Sequence, residues 1–141
     1  MPLSYTTAQG NGSQAVFNFT WDYLLKSHVK VYIGRDIVAD TGTLQTEGVH
    51  YTYSGAKQLT FSTPPTNSQI VHIERQTPNT SQIAPWSDGS NLTAEALNNA
   101  DLQNLFVVQE QQDRNDLGAT EARNATTNSA SAVATANAAQ A

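Results

Sequence analysis

Short runs in which apolar and polar residues alternate fill residues 1–90, and this two-residue period predicts β-strands. Val29, Val31 and Ile33 share one face of such a run, which predicts a central strand, whereas the polar residues 40–48 predict a loop. The runs that predict strands are residues 3–7, 14–20, 29–33, 37–39, 50–53, 58–62 and 69–76. About six or seven short strands separated by turns predict a mainly β fold, a small antiparallel sandwich or barrel.

The pattern changes after Ser90, because the apolar residues of Leu92–Gln112 fall at helical spacing. No Gly or Pro interrupts Thr93–Leu117, and good helix formers supply much of this stretch. Thr93 is suited to an N-cap, with Glu95 in the first turn, where the helix dipole favours an anion. The sequence therefore predicts a long C-terminal α-helix.

A heptad frame read along this helix predicts a coiled-coil stalk. The preferred frame gives an uncharged seam that begins with Leu105, Val108, Gln112, Asn115, Ala119 and Ala122 and continues through Thr126, Ser129, Val133 and Ala136. A competing frame through Leu102 and Gln109 reaches Asp116 and Arg123, which are poor core residues. The alternative to a stalk is a single helix that closes a monomeric domain.

Composition divides the chain into three parts. Residues 1–90 form a β-rich domain, 91–118 the stalk helix, and 119–141 a segment rich in Ala, Asn and Thr that is either helical or disordered. A domain of about 90 residues buries only some two thirds of its unfolded surface, so association between copies would add burial that one copy lacks.

Charge and composition exclude several classes of partner. The net charge is -5, most of it carried by the C-terminal part, and no Lys/Arg cluster is present, so we expect no nucleic-acid partner. The chain has no cysteine and therefore neither disulfides nor thiolate metal sites. No apolar run is long enough to predict membrane insertion. The start Met1-Pro2-Leu3-Ser4 lacks the basic and apolar segments of a signal peptide, so we expect a chain that is made and kept in a cytoplasm.

No catalytic or metal-binding motif is evident, so we expect no enzyme, no cofactor, no metal and no small-molecule ligand. His28, His50 and His72 are too dispersed for metal-ligand spacing. Asp113 and Asp116 are expected on a solvated helix face. Trp21, Tyr23 and Trp86 are candidates for a docking interface, because aromatic residues dominate contact energy at such surfaces; the alternative is core packing.

Several short motifs follow one another along the chain: Tyr5, the turn Gly10–Gly12, Phe17-Asn18-Phe19, Asp22-Tyr23-Leu24, Val29–Ile33, Ile73–Thr77, Trp86–Ser90 and the helix Leu92–Arg114. In this order the motifs resemble the N-terminal domain of T7-type phage tail fibres. The resemblance therefore covers most of the chain.

This resemblance implies a virion structural protein of the phage tail, assembled in the host cytoplasm. The protein would be a homotrimer in which residues 1–90 form the tail-attachment domain and the helix forms a trimeric coiled-coil stalk. The attachment domain would dock onto the adaptor and nozzle proteins of the short tail, and the fibre would serve host attachment. One alternative is the attachment domain of a tailspike whose C-terminal part is a polysaccharide depolymerase. A second is a free-standing bacterial binding module with a helical tail.

Overall fold

The computed structural model describes residues 2–83 and 93–140, the last ten of them as helical backbone. Seven strands precede one long helix, as the sequence predicts. The strands are β1 Tyr5–Gln9, β2 Val16–Asn18, β3 Val29–Asp36, β4 Thr41–Gln45, β5 Tyr51–Gly55, β6 Gln58–Phe61 and β7 Ile70–Arg75. A single 3-10 turn, Lys26–His28, leads into β3.

The strands form two antiparallel sheets with one apolar core between them. The first sheet has the order β1-β7-β3-β4 and the second the order β2-β6-β5. β3 therefore lies inside its sheet, which confirms the prediction of a central strand. The buried core residues come from both sheets and from the segment that follows β2: Phe17, Phe19, Trp21, Val29, Val31, Tyr51, Leu59, Phe61, Val71 and Ile73. This arrangement is a small sandwich of the predicted class.

The prediction for residues 37–48 was wrong in two respects. Residues 37–40 form a turn instead of a strand, since the Asp36 carboxylate accepts hydrogen bonds from the backbone N–H groups of Val38 and Ala39, both at 3.0 Å. The expected loop contains the edge strand β4, which pairs with β3. Because the first four of its five residues are exposed, β4 lacks the apolar alternation that identifies a half-buried strand.

The helix α1 extends over Ala94–Gln140. The Thr93 hydroxyl accepts a hydrogen bond from the Ala96 N–H at 3.1 Å, the contact expected of an N-cap. α1 continues through residues 119–140, where the sequence left helix and disorder as alternatives. The motif Trp86–Ser90 lies outside the described residues.

Candidate functional site

The helix lies against the sandwich along a row of residues that recur after three and four positions. We call this the inner row: Gln103, Phe106, Glu110, Asp113 and Leu117. If Leu105 is position a of the heptad, these residues occupy positions b and f, which face away from a coiled-coil seam. Phe106 is the large apolar side chain that the described part of the helix buries.

Arg75, at the end of β7, is the centre of the contact between sandwich and helix. Arg75 is only 2% exposed, and its guanidinium carbon lies 3.9 Å from the centre of the Phe106 ring. Its Nε is 3.1 Å from the Glu110 carboxylate, while Nη2 donates to Gln109 at 2.8 Å. Nη1 donates to the Asp22 carbonyl at 2.6 Å. A single side chain therefore ties β7 and the corner at Asp22 to α1.

Asp113 fastens the start of the chain to the middle of the helix. One of its carboxylate oxygens accepts three hydrogen bonds, from the backbone N–H of Leu3 at 2.8 Å, the N–H of Ser4 at 2.7 Å and the Ser4 hydroxyl at 2.6 Å. Asp113 is buried, so its expected position on a solvated face was wrong, whereas Asp116 is exposed as expected. The sequence gives no signal of the three donors that Asp113 meets on folding.

Glu110 and Gln103 complete the contact. Burial raises the pKa of Glu110, although the hydrogen bond from the Thr77 backbone N–H and the charge of Arg75 oppose the shift. Burial also lowers the pKa of Arg75, with Glu110 opposing. The Gln103 amide nitrogen donates to the carbonyls of Pro78 at 2.8 Å and Ser81 at 2.7 Å. Polar side chains therefore form most of this interface.

The predicted seam lies on the opposite side of the helix, and we call it the outer row. Its members Leu105, Val108, Gln112, Asn115, Ala119 and Ala122 are all exposed in the single chain. Leu105 is 49% and Val108 64% exposed. Neighbouring exposed apolar side chains of this kind are typical of an interaction site. The sandwich leaves this row uncovered, and its role as a trimer seam stays a prediction.

The aromatic candidates for docking have different surroundings. Trp21 is only 8% exposed, stacks on Phe19 with ring centres 4.3 Å apart, and donates through Nε1 to the Thr6 hydroxyl at 3.1 Å. Tyr23 is half-buried beside Phe19, and its hydroxyl donates to the Ala56 carbonyl. The structure thus brings Trp21 and Tyr23 to one aromatic cluster, while Trp86 lies outside the described residues.

A second group of charged side chains lies within the first sheet. Arg35 pairs with Glu74 at 2.8 Å and with Asp40 at 2.9 Å, and His72 stacks on Tyr5. Burial acts to raise the pKa of Glu74, but the neighbouring His72, Gln76 and Arg35 outweigh it, so this pKa lies below its ordinary value. These contacts connect side chains of neighbouring strands.

The described residues, 2–83 and 93–140, contain neither a metal site nor a membrane-spanning helix. No group of three or more His, Cys, Asp or Glu in these residues is arranged to hold a metal ion. No helix in the same part of the chain combines the length and apolar character needed to cross a membrane.

Comparison with known protein families gives a match over most of the chain. No curated protein matches the chain. The family described as "Phage T7 tail fibre protein, N-terminal domain" matches residues 1–132, which include the whole sandwich and most of the helix. The chain therefore belongs to the family of phage T7 tail fibre N-terminal domains, a structural component of the phage tail.

Proposed function

We propose that this chain anchors a homotrimeric fibre to the short tail of the virion, where it contacts the adaptor and nozzle proteins and presents the fibre for host attachment. The sandwich supplies the tail contact and α1 supplies the trimer contact. Assembly would take place in the host cytoplasm. The role is structural and requires no enzymatic activity.

The trimer proposal is supported by the different surroundings of two opposite sides of the helix. The inner row holds the sandwich of the same chain, and the outer row exposes Leu105 and Val108. Because positions b and f lie farthest from a coiled-coil seam, three helices could meet along the outer row with their sandwiches outside the bundle. Burying each Leu or Val would contribute roughly 1.5–3 kcal/mol, and a trimer repeats each contact three times.

We propose that the tail contact lies at the corner Trp21–Leu25, which includes the predicted residues Trp21 and Tyr23, with Trp86 as a further predicted member. Trp21 is largely buried, so its role would be to support the corner. Leu25 is 52% exposed and is the large apolar side chain that the corner offers to a partner. Three such corners on one trimer would bind together, since the first contact holds the others at high effective concentration.

The test uses tail particles that carry the adaptor and nozzle but lack fibres. We expect the purified chain to bind them in a sedimentation assay, and Leu25→Asp to weaken binding because a carboxylate would be desolvated at the contact. The matched control is Leu44→Asp, since Leu44 on β4 is also 52% exposed. Equal loss in both variants would contradict the proposed corner, and absence of binding by the unaltered chain would contradict the tail contact itself.

A further inference from the structure

An open groove lies where the sandwich meets the helix beside the start of the chain. It has a volume of about 380 Å³, and its apolar lining consists of Pro2, Leu3, Trp21, Leu102, Leu105 and Phe106, beside polar residues that include Arg75. The Leu3 backbone is fixed by its hydrogen bond to Asp113, so the half-exposed Leu3 side chain is held at the edge of the groove. Leu105 belongs both to this groove and to the outer row.

The exposed apolar residues of the helix fit one frame when positions beside the seam are included. Leu105 and Val108 are at a and d, which places Leu97 at g and Leu102 at e. In a parallel, in-register bundle, a g residue faces the e residue five positions later on the next helix, so Leu97 of one copy faces Leu102 of the next. In the described part of the helix, four large apolar side chains are exposed, and all four have a place in the same bundle: Leu97, Leu102, Leu105 and Val108.

Near the N-terminal end of the helix, the apolar residues occupy positions g and e, and the residue in the seam suggests a reason. One heptad before Val108, position d is Asp101, which is exposed in the single chain. Three Asp101 carboxylates close to a threefold axis would repel one another and weaken the seam there. Apolar contact beside the axis, between Leu97 of one copy and Leu102 of the next, would offset this cost.

We propose that the groove is a trimer contact in which Leu3 and Leu102 of one copy receive Leu97 of the neighbouring copy. The occupant is a second copy of this chain because the groove continues the outer row through Leu105 and because the apolar side chain with the required spacing is its own Leu97. Each sandwich then touches the neighbouring helix, so the trimer is held by sandwich and helix together. This inference rests on the homotrimer proposed above.

The test uses introduced cysteines, since the chain has none of its own. Chains carrying Leu97→Cys are unfolded and refolded together with chains carrying Leu102→Cys, then treated with a short bis-maleimide. Because each chain has a single thiol, only pairs between chains can be crosslinked. We expect a covalent pair of twice 15.2 kDa on a denaturing gel. Leu97→Cys mixed with Leu3→Cys should give the same product.

Two controls decide the result. Each variant refolded alone should give little covalent pair. Leu97→Cys mixed with Gln109→Cys should give none, because twelve residues of helix separate those positions by about 18 Å along the axis. If light scattering shows a trimer but the 97/102 and 97/3 mixtures crosslink no more than this control, the groove contact is wrong and the trimer stands. If the unaltered chain is monomeric, the trimer is wrong, and the groove contact with it.

Discussion

Buried charged side chains hold the helix in one position on the sandwich. A shift of α1 by one turn would separate Arg75 from Glu110 and Asp113 from the N–H groups of Leu3 and Ser4, leaving buried polar groups without partners. A buried polar group without a partner destabilises the fold by more than the same group stabilises it when paired. The polar contact therefore selects a single register of the helix. The register matters because it determines which side of the helix remains exposed.

Arg75→Ala should therefore be strongly destabilising. The Arg75 and Glu110 side chains are 1% and 16% exposed, and removing one partner of a buried pair costs roughly 3–5 kcal/mol. The matched control is Lys57→Ala, which breaks the exposed 2.6 Å pair with Asp22 and should cost roughly 0–1 kcal/mol. Urea unfolding at equal protein concentration measures both losses, and similar values would show that Arg75 does not organise the contact.

Glu110 and Glu74 should respond to pH in opposite directions. The pKa of Glu110 is raised from 4.5, so its stabilising contribution is fully present below that value and is lost as pH rises through the raised pKa. The pKa of Glu74 is lowered from 4.5, so its contribution is present above that value and is lost as pH falls through the lowered pKa.

Urea unfolding across the acidic range tests this difference. The stability lost in Glu110→Gln should shrink as pH rises from acid to neutral, whereas the loss in Glu74→Gln should grow over the same range. Losses that change in the same direction in both variants would contradict the two assigned environments.

At the scale of elements, the sequence predicts those strands and helices that bury apolar side chains. β3 and β7 contribute Val29, Val31, Val71 and Ile73 to the core, and their alternation is visible in the sequence. β4 was missed because it is an edge strand with exposed side chains, so its pairing with β3 leaves no pattern. Residues 37–39 have apolar character but form a turn, since the Asp36 carboxylate caps their backbone.

The sequence predicts the helix but not the inner row that contacts the sandwich. A row of Gln, Glu and Asp at positions b and f is also typical of a solvated helix face, so the sequence alone predicts that Asp113 is exposed. Its burial depends on Ser4, which is 109 residues away in sequence. Likewise, Arg75 resembles any strand-end cation until Glu110 and Phe106 lie beside it. Contacts between residues this distant cannot be read from local spacing.

At the scale of the molecule, the helix separates two tasks. Its inner row attaches the sandwich, which carries the proposed tail contact, and its outer row is free for association between copies. The sandwich has its own apolar core, so it does not depend on the outer row for its fold. A change in the outer row should therefore alter association and leave the sandwich folded.

The molar mass in solution tests whether the outer row drives trimerisation. Light scattering at micromolar concentration should give three times 15.2 kDa for the unaltered chain. Leu105→Asp should give a monomer, because three carboxylates would be buried together. Arg114→Asp, at an exposed position outside both rows, should remain trimeric. A mass of 15.2 kDa for the unaltered chain, or a trimer that tolerates Leu105→Asp as well as Arg114→Asp, would contradict the account.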